Sequence, residues 1–76
     1  MQSDPVLAEH ATGTVRWFDS ARGHGFVIRD GGGPDCFLHQ SSILPEDLRS
    51  IEKGTRLTFD VLAGLGGPLT INVRRL

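Results

Sequence analysis

Four ring side chains recur at alternate positions in two neighbouring segments of the chain. His24 and Phe26 are two residues apart, and so are Phe37 and His39. Residues two apart in a β-strand share one face of the sheet, so each pair can present its rings together. Exposed flat rings can stack on unpaired nucleobases, each stacked base contributing about 1–3 kcal/mol. These residues therefore indicate a binding surface for single-stranded nucleic acid.

The residues between these rings decide whether the rings face solvent or the core. Val27 follows Phe26, while Cys36 and Leu38 flank Phe37. If Val27, Cys36 and Leu38 fill the interior, the rings point outward. The alternative buries Phe26 and Phe37 and leaves three apolar residues in water. We predict outward rings, an arrangement that suits binding because exposed phenylalanines add little stability and favour aggregation.

Cationic side chains lie beside these rings in the sequence. Arg16 and Trp17 precede them, and Arg22 lies in the turn before His24. Guanidinium groups among aromatic rings suit a ligand whose bases stack while its phosphates meet the cations. Trp17 taken alone is ambiguous, since a single tryptophan in a strand is more often a core residue.

Composition limits the classes of function. The chain has 76 residues, enough for one small domain, and a formal net charge of -1. Without residues 1–12, eight basic and seven acidic residues remain. Affinity for nucleic acid therefore cannot rest mainly on neutralised phosphates, and stacking has to contribute more.

The pattern of turns and apolar residues predicts an all-β fold. Five short segments rich in β-branched and aromatic residues are separated by Gly and Pro turns, and no amphipathic helix is present. Single helical turns are possible at residues 41–43 and 45–48, neither long enough for a stable helix. A small barrel is preferred to a sandwich because closure removes exposed sheet edges. The predicted strands are residues 14–18, 25–29, 36–39, 55–63 and 69–76, the last with Leu69, Ile71 and Val73 in step on one side.

The ends of the chain and its single cysteine complete the expectations. Residues 1–12 are polar and predict a flexible leader, with the domain at residues 13–76. No apolar run has the roughly 20 residues needed to span a bilayer, and no secretory signal is evident. Cys36 has no disulfide partner in the chain, which is typical of a reducing compartment. We expect a cytoplasmic protein that does not contact membranes.

Three constellations that resemble active sites are weak. Cys36 and His39 have a spacing seen in zinc sites, but in a strand they face opposite sides. Asp35, His39 and Ser41 or Ser42 have the residue types of a hydrolytic triad without a nucleophile turn. The Gly31–Gly33 run lacks the Lys and the helix of a phosphate-binding loop. We therefore predict no enzyme activity, no metal and no cofactor.

The order and spacing of several motifs resemble those of bacterial cold-shock proteins. The resemblance covers residues 13–76, and it implies a five-stranded antiparallel oligonucleotide-binding (OB-fold) barrel that binds single-stranded RNA or DNA with low selectivity. Many members are RNA chaperones, and some modulate transcription or translation. The matching segments are residues 13–18, 22–27, 36–39, 67–68 and 72–73.

The resemblance also implies the site residues. Arg16 and Arg22 occupy positions where the family usually has lysines, and Arg preserves the charge. His24 and Gln40 stand where aromatics are usual, which predicts weaker binding or a shifted preference. The complete predicted nucleic-acid-binding set is Arg16, Trp17, Phe18, Arg22, His24, Phe26, Phe37, His39 and Gln40.

A second hypothesis concerns protein partners. Leu48 stands where a loop aromatic is common in the family, and Gly66 stands where a basic residue is common. These two changes, with those at His24 and Gln40, weaken the nucleic-acid surface. An exposed patch of phenylalanines can also receive a partner protein or form a homodimer.

Overall fold

A computed structural model describes residues 9–76 and shows a closed barrel of five strands. A 3-10 helix, Gln40–Ser42, and a one-turn helix α1, Pro45–Leu48, connect the third and fourth strands. The first begins one residue before the single turn that the sequence allowed at residues 41–43, and the second coincides with the turn allowed at residues 45–48. The predicted all-β barrel is confirmed. The strands are β1 Glu9–Asp19, β2 His24–Arg29, β3 Cys36–His39, β4 Arg56–Gly64 and β5 Gly67–Arg75.

The strands follow the order β1-β2-β3-β5-β4 around the barrel, and β1 pairs with both β2 and β4. Four of the five pairings are antiparallel, as predicted. The closing contact between β3 and β5 is parallel and consists of Phe37 opposite Leu69. The hydroxyl of Thr70 donates to the carbonyl of Phe37 at 3.0 Å across this seam. Because Thr70 is buried and its hydroxyl cannot reach solvent, this bond gives the hydroxyl the hydrogen-bond partner that it would otherwise lack.

The barrel interior contains the residues that the alternation of β2 and β3 predicted. Val27, Cys36 and Leu38 are each 0% exposed. Burial raises the pKa of the Cys36 thiol, because a thiolate is poorly solvated there. The aliphatic interior of these two strands leaves their rings on the outer side. The buried core as a whole is Val15, Val27, Cys36, Leu38, Ile43, Ile51, Leu57, Phe59, Val61 and Val73.

The start of the barrel lies earlier than the sequence indicated. We placed residues 9–12 in a flexible leader, but β1 begins at Glu9 and pairs with β4 from Glu9 opposite Val61 onward. Ladder hydrogen bonds to β4 and the partly buried Ala11 order this segment. The sequence pattern did not predict this part of the strand, because its residues are mostly polar where their outer side faces water. The expected leader over residues 1–8 lies outside the described residues.

The predicted alternation of β5 is wrong. Leu69, Ile71 and Val73 do not share one side: Val73 is buried, but Leu69 is 38% exposed and Thr70 points inward. The register between β4 and β5 shifts between Thr58 and Asp60, and Asn72 has a positive φ of 53°. This bulge inserts one extra residue into β5. The inward-facing positions are therefore Thr70 before the bulge and Val73 after it, three residues apart instead of two.

Neither helix in residues 9–76 has the length and the apolar character that crossing a membrane requires.

Candidate nucleic-acid interface

Five rings form a continuous array on the outer side of β1, β2 and β3, here called the aromatic strip. Phe26 lies at its centre, 5.6 Å from Trp17 and 5.7 Å from Phe37 between ring centroids. The outward orientation predicted for the rings of β2 and β3 is confirmed, since all four are partly or fully exposed. Trp17, which the pattern alone left ambiguous, is 41% exposed. The strip consists of Trp17, His24, Phe26, Phe37 and His39.

The rings meet at angles that leave their faces accessible. Trp17 and Phe26 are inclined by 58°, and Phe26 and Phe37 by 71°. Edge-to-face contact is a favourable arrangement between rings, and it does not cover one flat face with another. A planar base can therefore lie against an individual ring without first separating a stacked pair.

A β-bulge in β1 places Trp17 in the strip. Val15 is opposite Val27 and faces the core, but the next partners are Trp17 and Phe26, so Arg16 is an extra residue. Simple alternation from Val15 would turn Trp17 inward. The bulge lets Arg16 and Trp17 both face solvent.

The end of the strip is positioned by the residues that follow β3. The backbone N–H of Ser41 donates to Nδ1 of His39 at 3.1 Å, and the Ser41 hydroxyl lies 2.8 Å from the same atom. An accepting Nδ1 places the proton of a neutral ring on Nε2. The exposed Gln40 lies over Gly23, whose carbonyl accepts the Gln40 N–H at 2.8 Å. Its amide extends the strip with a polar group in place of a ring.

Both arginines beside the strip have aspartate partners. Arg16 donates from Nε and Nη2 to the two carboxylate oxygens of Asp35, the second contact being 3.2 Å long. The Asp35 hydrogen bonds and charge raise the pKa of Arg16. Nε of Arg22 lies 3.8 Å from Oδ2 of Asp19. The surface thus combines flat rings with cations whose charge is balanced locally.

An apolar groove of about 470 Å³ continues from the strip. Phe26 and Phe37 form one side, and the loop before β3 and the hairpin between β4 and β5 form the other. Alternation placed Leu69 with the core, so sequence reasoning missed its contribution here. Pro34 before β3 and Pro68 at the start of β5 mark the two turns that form this side of the groove, but nothing in their sequence pattern indicates that the turns meet. The remaining lining residues are Pro34, Asp35, Gly66, Gly67, Pro68 and Leu69.

Comparison with known proteins agrees with this geometry. The family model described as the 'Cold-shock' DNA-binding domain matches residues 11–76. The chain belongs to the cold-shock domain family. It is 46% identical over 63 residues to the cold shock protein ScoF of Streptomyces coelicolor, covering 83% of this chain and 94% of that protein.

Other relatives of this cold-shock domain come from a second bacterium and from a plant. It is 37% identical over 70 residues to the cold shock-like protein CspA of Vibrio cholerae, covering 92% of this chain and the whole of that protein. Glycine-rich protein 2 of Nicotiana sylvestris is 44% identical over 59 residues, which are 78% of this chain and 28% of the plant protein. The domain thus also occurs within longer chains.

The structure brings most of the predicted site residues of the cold-shock domain together. Phe18 differs, because it is only partly exposed and packs against the core at the edge of the strip. Leu48, in the position of a common loop aromatic, also packs against the core. The residues exposed on or beside the strip are Arg16, Trp17, Arg22, His39 and Gln40, with His24, Phe26 and Phe37 partly exposed.

The alternative constellations are not assembled as sites in the cold-shock domain. Cys36 is buried and His39 is exposed, so they face opposite sides of β3 as predicted. Asp35 pairs with Arg16, while His39 contacts Ser41. Within residues 9–76, no group of three or more His, Cys, Asp or Glu side chains could hold a metal ion.

Proposed function

We propose that this cold-shock domain binds single-stranded RNA or DNA by stacking bases on the aromatic strip. The observation that carries the proposal is the outward array of rings on three adjacent strands, with centroids 5.6–6.3 Å apart. Every base has a flat face, so stacking tolerates many sequences. The predicted binding residues Arg16, Arg22 and Gln40 flank this array; the two arginines could meet phosphates on exchanging their aspartate partners, and the exposed amide of Gln40 could reach base edges.

Binding of this kind supports an RNA chaperone that needs no cofactor. A protein that binds unpaired strands and not the duplex shifts the equilibrium of a hairpin toward the open form. The energy comes from stacking on the strip and not from a chemical reaction. Release is reversible, because the surface is open and each stacked base contributes only about 1–3 kcal/mol. A modulator of transcription or translation could act through the same equilibrium.

We further expect the protein to act in the cytoplasm. The unpaired thiol of Cys36 is buried in the core, and a reducing compartment would keep it unoxidised.

Fluorescence of Trp17, the only tryptophan, tests the proposal directly. Titration with a short oligopyrimidine at low salt is expected to quench this fluorescence, because a base stacked on the indole changes its environment. The same sequence annealed to its complement is the control and should quench little. A labelled RNA hairpin should open as protein is added. Equal response to single strand and duplex, or no quenching at low salt, would reject stacking.

A protein-interaction module on the same barrel remains the second candidate. Ile28 and Leu69 are each 38% exposed, and Leu69 lines the groove beside Phe26 and Phe37. Exposed apolar residues of this kind also suit a protein partner or a second copy. The double variant Phe26→Ala/Phe37→Ala separates the candidates when oligonucleotide binding and sedimentation of the free protein are measured in parallel. Loss of self-association with unchanged oligonucleotide binding would favour the second candidate.

A further inference from the structure

The aromatic strip has two adjacent arginines, and each is paired with an aspartate. Arg16 binds both oxygens of Asp35, and Arg22 lies 3.8 Å from Asp19. Two formal positive charges are therefore matched by two formal negative charges at the place where a phosphate would approach. Paired cations attract phosphate less than free ones, because the neighbouring carboxylate offsets their charge and occupies their hydrogen-bond donors.

The Arg16–Asp35 pair is built into the site by long-range structure. Arg16 is the extra residue of the β1 bulge, and Asp35 immediately precedes β3. Since β1 and β3 flank β2 on opposite sides, the pair reaches across the outer side of β2, where the strip lies. Asp35 also lines the groove with Phe26 and Phe37. A bidentate pair fixes the direction of the guanidinium as well as balancing its charge.

Resting on the proposed function, we infer that Asp35 restrains Arg16 and makes binding to the strip depend on stacking more than on phosphate contacts. The carboxylate keeps the guanidinium engaged, so a nucleic-acid strand has to displace Asp35 or bind without that cation. A half-exposed pair of this kind has a small net stability, so the restraint is partial and reversible. Asp35 is thus a positioning residue that sets the salt dependence and selectivity of the strip.

Asp35 is a better site for a test than Asp19. One carboxylate oxygen of Asp19 accepts the backbone N–H groups of Ala21 and Arg22 at 3.0 and 3.1 Å, so its substitution would disturb the turn. No comparable backbone contact is made by Asp35 within the described residues. Its substitution removes the restraint while leaving the local backbone bonds in place.

The test measures the affinity for one oligopyrimidine at several salt concentrations. Asp35→Asn is expected to bind more tightly at low salt and to steepen the slope of log affinity against log salt by about 0.7, the value for one added phosphate contact to a single strand. Between about 50 and about 200 mM salt, this slope corresponds to an extra loss of about 2.6-fold in affinity. Asp35→Glu preserves the charge and should retain the shallow slope.

Asp30→Asn provides the matched control. Asp30 also forms a bidentate pair, with both terminal nitrogens of Arg56 at 2.7 Å, but this pair joins the turn after β2 to the start of β4, and Asp30 does not line the groove. The charge change is the same, so any effect of overall charge appears in both variants. The Arg16→Gln variant provides a second control. Adding Asp35→Asn to it should produce no further gain in oligonucleotide affinity. Thermal unfolding of each variant verifies that it is folded.

The outcomes separate this inference from the proposed function. If the wild-type protein binds and depends on Phe26 and Phe37, but Asp35→Asn weakens binding or matches Asp30→Asn, the inference is overturned and the function stands. A gain that persists in the Arg16→Gln background also overturns it, because Asp35 would then act without Arg16. If the wild-type protein does not bind, the proposed function itself fails.

Discussion

Trp17 and Phe26 are cross-strand partners, with ring centroids 5.6 Å apart, because Arg16 is bulged out of β1. Without the extra residue, Val15 opposite Val27 would be followed by Arg16 opposite Phe26. The indole would then turn toward the core. One inserted residue therefore joins the ring of β1 to those of β2 and β3, and the first prediction concerns this bulge.

Gly25 is expected to be indispensable to the bulge. A Cβ at this position would lie 2.1 Å from the carbonyl oxygen of Trp17 and 2.8 Å from Cα of Phe18. Both atoms belong to the backbone and cannot move aside. Gly25→Ala should therefore destabilise the barrel and shift the emission of Trp17 in urea unfolding followed by fluorescence. Gly31→Ala is the control, because a Cβ added there would have no heavy atom within 4 Å apart from those of Gly31 and its two chain neighbours. Equal stability of the two variants would contradict the geometry.

Phe37 and Leu38 are neighbours with opposite roles. Phe37→Ala removes a ring of the strip and should weaken oligonucleotide binding by about 1–3 kcal/mol. Leu38 is 0% exposed, so Leu38→Ala should lower the free energy of unfolding by about 2–5 kcal/mol. Binding is measured by anisotropy of a labelled strand, and stability by urea unfolding. If Phe37→Ala proves the more destabilising of the two, the assignment of faces fails.

Asn72 is the one non-glycine residue with positive φ among the described residues, and its side chain donates to Asp60 at 3.0 Å. Asn72→Gly loses the hydrogen bond but accepts the backbone angle. Asn72→Ala loses the bond and adds strain of about 1–2 kcal/mol. We expect thermal stability to decrease in the order Asn, Gly, Ala. An alanine variant more stable than the glycine variant would show that the bulge does not need this angle.

Asp60 is expected to make the free energy of unfolding depend on pH. Hydrogen bonds from Asn72 and then His10 hold the pKa of its carboxyl below the ordinary value. A carboxyl whose pKa is lower in the folded state than in the unfolded state stabilises the fold at pH values above its unfolded-state pKa, which is about 3.9. This stabilisation is lost as the pH falls through the folded-state pKa. The stability difference between wild type and Asp60→Asn should therefore be full at neutral pH and shrink in acid. Urea unfolding at several pH values measures it, and a difference that grows in acid would contradict the sign.

Gln40 limits the length of the stacking surface. Gln40→Phe adds a ring beside His39 and is expected to tighten binding by about 1–3 kcal/mol if one more base is stacked. Gln40→Leu is the control, since it adds apolar area without a flat face. Anisotropy with oligonucleotides of increasing length measures both. A gain of the same size with leucine would assign the effect to apolar contact and not to stacking.

The sequence by itself determined the orientation of β2 and β3. The pleat gives a strand a period of two, so the aliphatic Val27 and Leu38 and the aromatic Phe26 and Phe37 separate onto opposite faces whatever surrounds them. Turns are local as well, which is why five strands and the one-turn helix at residues 45–48 were predictable. The resemblance to cold-shock proteins added the site residues that this period could not assign.

Only the tertiary structure decided the positions of Trp17, Leu69 and Asp35. The first two depend on bulges, whose extra residue is set by pairing with another strand: β1 with β2 for Trp17, and β5 with β4 for Leu69. The third depends on Arg16, 19 residues away in the chain. A bulge reverses the parity that alternation predicts, and an ion pair across a third strand leaves no periodic signal. The rings of β2 and β3 could therefore be predicted from local pattern, whereas the position of the Trp17 ring and the charge balance around the strip required the folded barrel.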